Sequence, residues 1–153
     1  MYVHCALVGT AVHTMRQVFE SQETEAVILV DTSNVINTLN RKVALQNFNS
    51  LCPSLAKILI NTYRDDVQLF IDGETLLSQE GTTQGDPLVL AIYAVAISPL
   101  IRRLEDEHLK QVCFADDATA GGDFAHLKIW WEHIVDLGPE NGYQPVMAHH
   151  QGR

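Results

Sequence analysis

Gln111-Val112-Cys113-Phe114-Ala115-Asp116-Asp117-Ala118-Thr119-Ala120 is the stretch from which the rest of the chain is read. Apolar residues lead into two adjacent aspartates, and small, strand-compatible residues lead out. The pattern predicts a β-hairpin with Asp116-Asp117 at its tip. Two carboxylates held side by side repel each other, which raises their proton affinity unless a cation lies between them. Hard cations such as Mg²⁺ take oxygen ligands of this kind. Aspartate also favours surface turns in its own right, so the pair alone does not separate a metal site from a solvated turn. The apolar flanks favour a buried hairpin that presents its tip. A third carboxylate ending another buried strand decides the matter.

That carboxylate is Asp31. It ends Glu25-Ala26-Val27-Ile28-Leu29-Val30, a short apolar run bounded by polar residues, as in a buried strand. In two-metal phosphoryl transfer, ions about 3.5–4 Å apart clamp the attacking and leaving oxygens of an in-line displacement, and neighbouring carboxylates hold them. The expectation is that the Asp31 strand lies beside the hairpin. The oxygens of Asp31, Asp116 and Asp117 then converge to roughly 4–7 Å.

With these residues in view, the chain resembles the palm region of a retroelement reverse transcriptase. Asp31-Thr32-Ser33-Asn34-Val35-Ile36-Asn37 is similar to that family's first catalytic motif. Gly81-Thr82-Thr83-Gln84-Gly85-Asp86-Pro87-Leu88 resembles the second, and Phe114-Ala115-Asp116-Asp117 the third. Gly138-Pro139-Glu140-Asn141-Gly142-Tyr143-Gln144-Pro145 resembles the block that follows in one retroelement group. The Gln-Gly-Asp-Pro-Leu block, placed between the two aspartate strands, makes the set specific where a lone Phe-Ala-Asp-Asp is not.

The resemblance implies an α/β chain of the α+β type. It would be a polymerase palm with a small antiparallel sheet, packed helices on one face, partial fingers and no thumb. It divides the chain into residues 1–24 (partial fingers or linking helix), 25–137 (palm) and 138–153 (a divergent tail). It implies an RNA-directed DNA polymerase that uses two Mg²⁺ or Mn²⁺ ions, a template-primer of RNA or DNA, and deoxynucleoside triphosphates. Asp31 and Asp116 would hold the ions with the backbone carbonyl of Thr32, and Asp117 would assist. Asn34, Ile36, Gln84 and Gly85 would contact nucleotide or template. Ile36 stands where the family usually carries an aromatic that packs under the sugar. The tail Val146-Met147-Ala148-His149-His150 departs from the family's Asn and Lys, and the lysine's role is not carried over to His149. A non-catalytic remnant or a protein-interaction fragment is the alternative reading.

Composition bears on both readings. Ten Lys and Arg residues against nineteen Asp and Glu give a net charge of −9, unlike the basic stripe of most nucleic-acid binders. The 153 residues suit one domain. Cys5, Cys52 and Cys113 are scattered and lack a Cys-x-x-Cys spacing. That argues against a disulfide framework or a cysteine zinc site and fits an intracellular compartment, nucleus or cytoplasm alike. The longest apolar run, Leu88 to Ile97, is too short to span a bilayer.

Along the chain, the spacing of Val12, Met15, Val18 and Phe19 predicts a helix from Ala11 to Ser21. Asn37 and Asn40 read as turn and cap residues. Arg41 to Leu51 predicts a helix, and Ser54 is the expected cap of a second one reaching Tyr63 or Arg64. Asp65-Asp66 reads as a solvated helix end. Val67–Ile71, Asp72-Gly73 and Thr75–Ser78 predict a hairpin. Gln84-Gly85 would open a helix, with Asp86 and Pro87 in its first turn. Leu88 to Ile97 would be buried all round, Ser98-Pro99 would kink or end it, and Leu100 to Leu109 would continue as an exposed amphipathic helix. Gly121-Gly122-Asp123 resembles a cyclase signature but sits after the hairpin, where Asp123 caps a helix. Phe124, Leu127, Trp131, Ile134 and Val135 are expected to form that helix's core face, and Leu137-Gly138-Pro139 to stop it. His126 and His133, two turns apart, could share a face.

Overall fold

A computed structural model of the chain describes residues 8–22, 24–32, 34–82, 88–114 and 117–147. In chain order its elements are α1 (Val8–Phe19), β1 (Ala26–Thr32), α2 (Val35–Thr38), α3 (Arg41–Leu51), α4 (Pro53–Tyr63), β2 (Val67–Ile71), β3 (Glu74–Ser78), α5 (Val89–Arg103), β4 (Lys110–Phe114), β5 (Asp117–Gly122), α6 (Phe124–Leu137) and β6 (Pro145–Met147), with a 3₁₀ turn at Pro139–Asn141. This is the expected mixed α+β chain with a small antiparallel sheet. It forms two compact units. The first gathers the described parts of 1–33, 100–139 and 143–153, and the second those of 34–99 and 140–142.

In the first unit the sheet order is β4-β5-β1-β6, and every pairing is antiparallel. The expected hairpin is present as β4 and β5, with Phe114 facing Asp117. β1 lies between β5 and β6, pairing Val30 with Ala118 on one side and with Met147 on the other. Side chains alternate between the two faces of a strand. Val30 and Thr32 are buried on one face, at 1% and 2% exposure, and Leu29 and Asp31 are exposed on the other. The buried face carries α6, whose Trp130 Nε1 donates to Gln111 Oε1 on β4 at 2.7 Å. The opposite face carries α1, because a Cβ at Gly121 would meet Val18. Helices therefore cover both faces of this sheet rather than one. Of the helically spaced Val12, Met15, Val18 and Phe19 on α1, only Val18 is buried. Val12 and Phe19 are 63% and 74% exposed, because α1 leaves an apolar groove open against the strands, lined by Met15, Phe19, Leu29, Val112, Phe114 and Asp117.

α6 begins as expected. The side chain of Asp123 accepts from His126 N–H at 3.0 Å, and Glu25 Oε2 accepts from Phe124 N–H at 3.0 Å, so two of the helix's four unpaired amides are satisfied. Its core face is Leu127, Trp130 and Ile134; Phe124 and Val135 are exposed. Leu127 and Ile134 stand where the spacing put them, and Trp130 joins them in place of Trp131, because adjacent tryptophans do not tell a helical period which one is inward. Leu137-Gly138 ends α6, but Gly138 stays right-handed at φ −59°. Crowding explains the glycine: a Cβ there would lie 2.5 Å from the Ile134 carbonyl.

In the second unit α3 starts at Asn40, whose side chain accepts from Val43 N–H. α4 starts with Pro53 as its first residue after Cys52, so Ser54 is inside the helix and caps nothing. Asp72 and Gly73 have φ of 51° and 84°, the turn that a two-residue hairpin requires. The β2–β3 hairpin leaves Leu69, Phe70, Ile71, Leu76 and Leu77 exposed. Gly142, at φ +78°, allows the chain to pass so close to Thr38 that a Cβ would overlap its carbonyl. There Thr38 Oγ1 donates to Gly142 O at 2.9 Å, and Asn40 Nδ2 to Glu140 O at 3.1 Å.

α5 differs from both expectations. Leu90 is 64% exposed, so the helix is not buried all round. It also runs through Pro99 to Arg103. A proline inside a helix costs about 3 kcal/mol. Leu100 and Ile101 are each 3% exposed, and burying a side chain of that size contributes roughly 1.5–3 kcal/mol. Two such burials offset the proline. The helix stops at Arg103, and Leu104 to Leu109 form turns rather than an amphipathic helix, with Leu104 and Leu109 buried. Cys52 and Cys113 form no disulfide. No described helix is long and apolar enough to cross a membrane.

Candidate functional site

The sheet brings Asp31 and Asp117 to one end. The register pairs Leu29 with Thr119 and Val30 with Ala118. One further step sets Asp31 opposite Asp117, on the face that carries the open groove. Both are exposed. Asp116 lies outside the described residues, and the expected convergence of the three carboxylates with it. Asp31 Oδ1 accepts from the Thr32 amide at 2.7 Å, which fixes the carboxylate at the strand end.

Thr32 faces Pro145 in β6. Proline has no N–H, so it gives the Thr32 carbonyl no ladder hydrogen bond. The Thr32 hydroxyl is buried on the other face of the sheet without a partner and is no part of this donor set. The donors at the strand end are carboxylate and carbonyl oxygens. Such a set suits Mg²⁺ or Mn²⁺ better than softer ions.

The other expected site residues fall elsewhere. Asn34 and Ile36 belong to the second unit. Asn34 is left-handed at φ 59°, precedes α2 and accepts from the Asn37 side chain, so it is a turn residue locally. Ile36 is half-buried, and its carbonyl accepts from Thr82 N–H at 2.7 Å. Gln84 and Gly85, with Asp86, Pro87 and the helix start expected there, lie outside the described residues, as do Cys5 and His149.

The approach to that block is described, and it shows a residue the sequence did not single out. Arg41 is buried at 9% exposure. It donates from Nε to Gly81 O at 2.7 Å, from Nη1 to Ser78 O at 2.7 Å, and from Nη2 to Ser78 Oγ and Glu80 O at 2.9 Å each. Gly81 N–H also bonds Leu39 O at 2.8 Å. Residues 78–82 are thereby clasped to α3 and the turn before it. No local motif marks an arginine that bonds carbonyls some 40 residues away. His126 likewise groups not with His133 but with Asp106 and His108, which come from the turn before β4.

No protein-family model matches the chain, and no curated protein matches it by sequence. Solved structures do match. Apo telomerase from Candida tropicalis superposes with a TM-score of 0.67 at 11% identity, over 97% of this chain and 33% of that one. The same enzyme truncated from its C-terminal domain gives 0.58 at 10% identity, over 99% and 36%. Telomerase from Candida albicans, in complex with a TWJ fragment of telomeric RNA, gives 0.56 at 10% identity, over 94% and 31%. The chain thus spans about a third of the telomerase chains that it matches. At such identity the likeness establishes the fold, a reverse-transcriptase-like one.

Proposed function

We propose that this chain is the palm part of an RNA-directed DNA polymerase and supports nucleotidyl transfer to a primer 3′-hydroxyl. The observation that carries the proposal is the facing placement of Asp31 and Asp117 at one end of a sheet whose fold is like that of telomerase. In this reading Asp31 and Asp116 would hold two divalent ions with the Thr32 carbonyl as a further ligand, and Asp117 would assist nearby. When bound, such ions would activate the hydroxyl and neutralise charge on the departing pyrophosphate. The Asp31–Thr32 amide contact holds the carboxylate in place before any ion arrives. Gln84, Gly85 and Asn34 position nucleotide and template, and Ile36 lies against the sugar. Isoleucine presents less surface there than an aromatic ring, so discrimination against a 2′-hydroxyl is weaker. The primer oxygen attacks the α-phosphorus of the incoming deoxynucleotide, and pyrophosphate leaves.

One observation favours a second reading, a folded chain without polymerase activity: the net charge of −9. Calorimetry with Mn²⁺ on the wild-type chain beside Asp116→Asn separates the two. The expected result is binding that weakens roughly tenfold or more in the variant, since even outer-shell changes at metal sites cost 10–100-fold, together with primer extension that Asp116→Asn abolishes. A folded wild type that binds no Mn²⁺, or an Asp116→Asn chain that still extends a primer, overturns the assignment.

A further inference from the structure

Asp106, His108 and His126 each place one ligand atom within 4.8 Å of the others'. They stand at the other end of the sheet from Asp31 and Asp117. Five residue steps along β5 separate Asp117 from Gly122, which is roughly 17 Å at about 3.3 Å per step. A glycine at 122 lets the two elements meet, because a Cβ there would lie 2.5 Å from Leu109 and 2.9 Å from the His108 carbonyl. The His108 and His126 rings lie 4.4 Å apart between centroids.

The groups are oriented as metal ligands are. His126 Nδ1 lies 2.6 Å from Asp123 Oδ2. With Nδ1 turned to the Asp123 carboxylate, Nε2 is the ring nitrogen left to reach a metal. Carboxylate–histidine–metal relays have this form. Asp106 Oδ1 accepts from the His108 amide at 2.8 Å, which fixes that carboxylate beside the ring. The contact of His108 Nε2 with Glu107 Oε1 is long, at 3.6 Å between exposed groups, and competes little.

We propose that Asp106, His108 and His126 bind a zinc-class divalent ion, with Asp123 as the positioning residue behind His126. Two imidazoles and one carboxylate suit Zn²⁺ and disfavour Mg²⁺, which takes oxygen. Three protein ligands leave a fourth position for water. Metal–ligand bonds of about 2.0 Å set tetrahedral ligand atoms roughly 3.3 Å apart, so the cluster closes by at most about 1.5 Å on binding. His108, 57% exposed on a turn, has the freedom to supply that movement. The ion pins the turn before β4 to the first turn of α6.

The test is Zn²⁺ calorimetry on the full chain with 5 mM Mg²⁺ present throughout. The expected result is one Zn²⁺ site that weakens at least tenfold in His108→Ala and in His126→Ala. Asn is as good a helix cap as Asp, so Asp123→Asn keeps the start of α6 and is expected to weaken Zn²⁺ by 10–100-fold. His108 is on an exposed turn, so a folded His108→Ala chain, verified by circular dichroism, stays decisive if His126→Ala disturbs α6. Unchanged Zn²⁺ affinity in folded His108→Ala overturns the proposal. So does binding that survives there and disappears in a His149→Ala/His150→Ala chain.

Discussion

Replacing Trp130 by alanine is expected to destabilise the first unit by about 3–5 kcal/mol, the usual cost of truncating a buried aromatic. Domains of this size have a total stability of roughly 5–15 kcal/mol, so this single change removes a large share of it. Trp130 is 2% exposed and is among the largest fully buried side chains of the described residues. Its loss opens a cavity under β4 and β5. It also strands Gln111 Oε1, whose partner is the indole N–H, while Gln111 Nε2 continues to donate to Ile101 O at 3.0 Å. Trp130→Phe separates the two effects. It keeps most of the packing and leaves a buried acceptor unmet, which costs about 1–3 kcal/mol. Urea unfolding followed by circular dichroism measures both. A loss under about 1 kcal/mol for Trp130→Ala contradicts the placement of α6's core face.

Arg41→Ala is expected to cost about 3 kcal/mol or more, because it removes four charge-assisted hydrogen bonds at once and each is worth about 1.5–3 kcal/mol before non-additivity. Three of the acceptors are backbone carbonyls, of Ser78, Glu80 and Gly81. The guanidinium also lies 5.8 Å from the Tyr63 ring centroid. Arg41→Lys is expected to restore little, because an ammonium cannot reproduce the planar fork that reaches two residues on one side and a third on the other. The measurement is the urea midpoint together with proteolytic cleavage within residues 78–82. Faster cleavage in Arg41→Ala and in Arg41→Lys is the expected outcome. Unchanged cleavage in both would mean that the carbonyl clasp does not hold residues 78–82.

The aspartate hairpin and the Asp31 strand were legible because both signals are local. Alternating apolar residues end in carboxylates, and Asp123 announces α6 by the cap that it provides. The path of α5 through Pro99 was not legible, since the burial of Leu100 and Ile101 that outweighs proline is a tertiary quantity. Trp130 and Trp131 are indistinguishable to a helical period that tolerates either. Pro145–Met147 carries too short a pattern to announce a strand, and only its pairing with β1 makes it one. Arg41 and the Asp106–His108–His126 cluster are assembled by topology, from residues about 20 to 40 apart, so no spacing rule finds them.

The central position of β1 sets a timetable for synthesis. Both of its neighbours lie far downstream: Ala26 waits for Gly122, and Val30 for Met147. Asn40 N–H likewise waits for the carbonyl of Asn141. At about 5–20 residues per second, roughly 6–23 s pass between translation of Val30 and of Met147. Until Gly122 is made, Ala26–Val30 is an apolar segment with two unpaired edges, and until Met147 it keeps one, while α3, α4 and the β2–β3 hairpin close from near neighbours alone. Nascent chains held at that stage offer β1 to one another. The strand that carries Asp31 is therefore the place where crowding on a polysome competes most directly with folding.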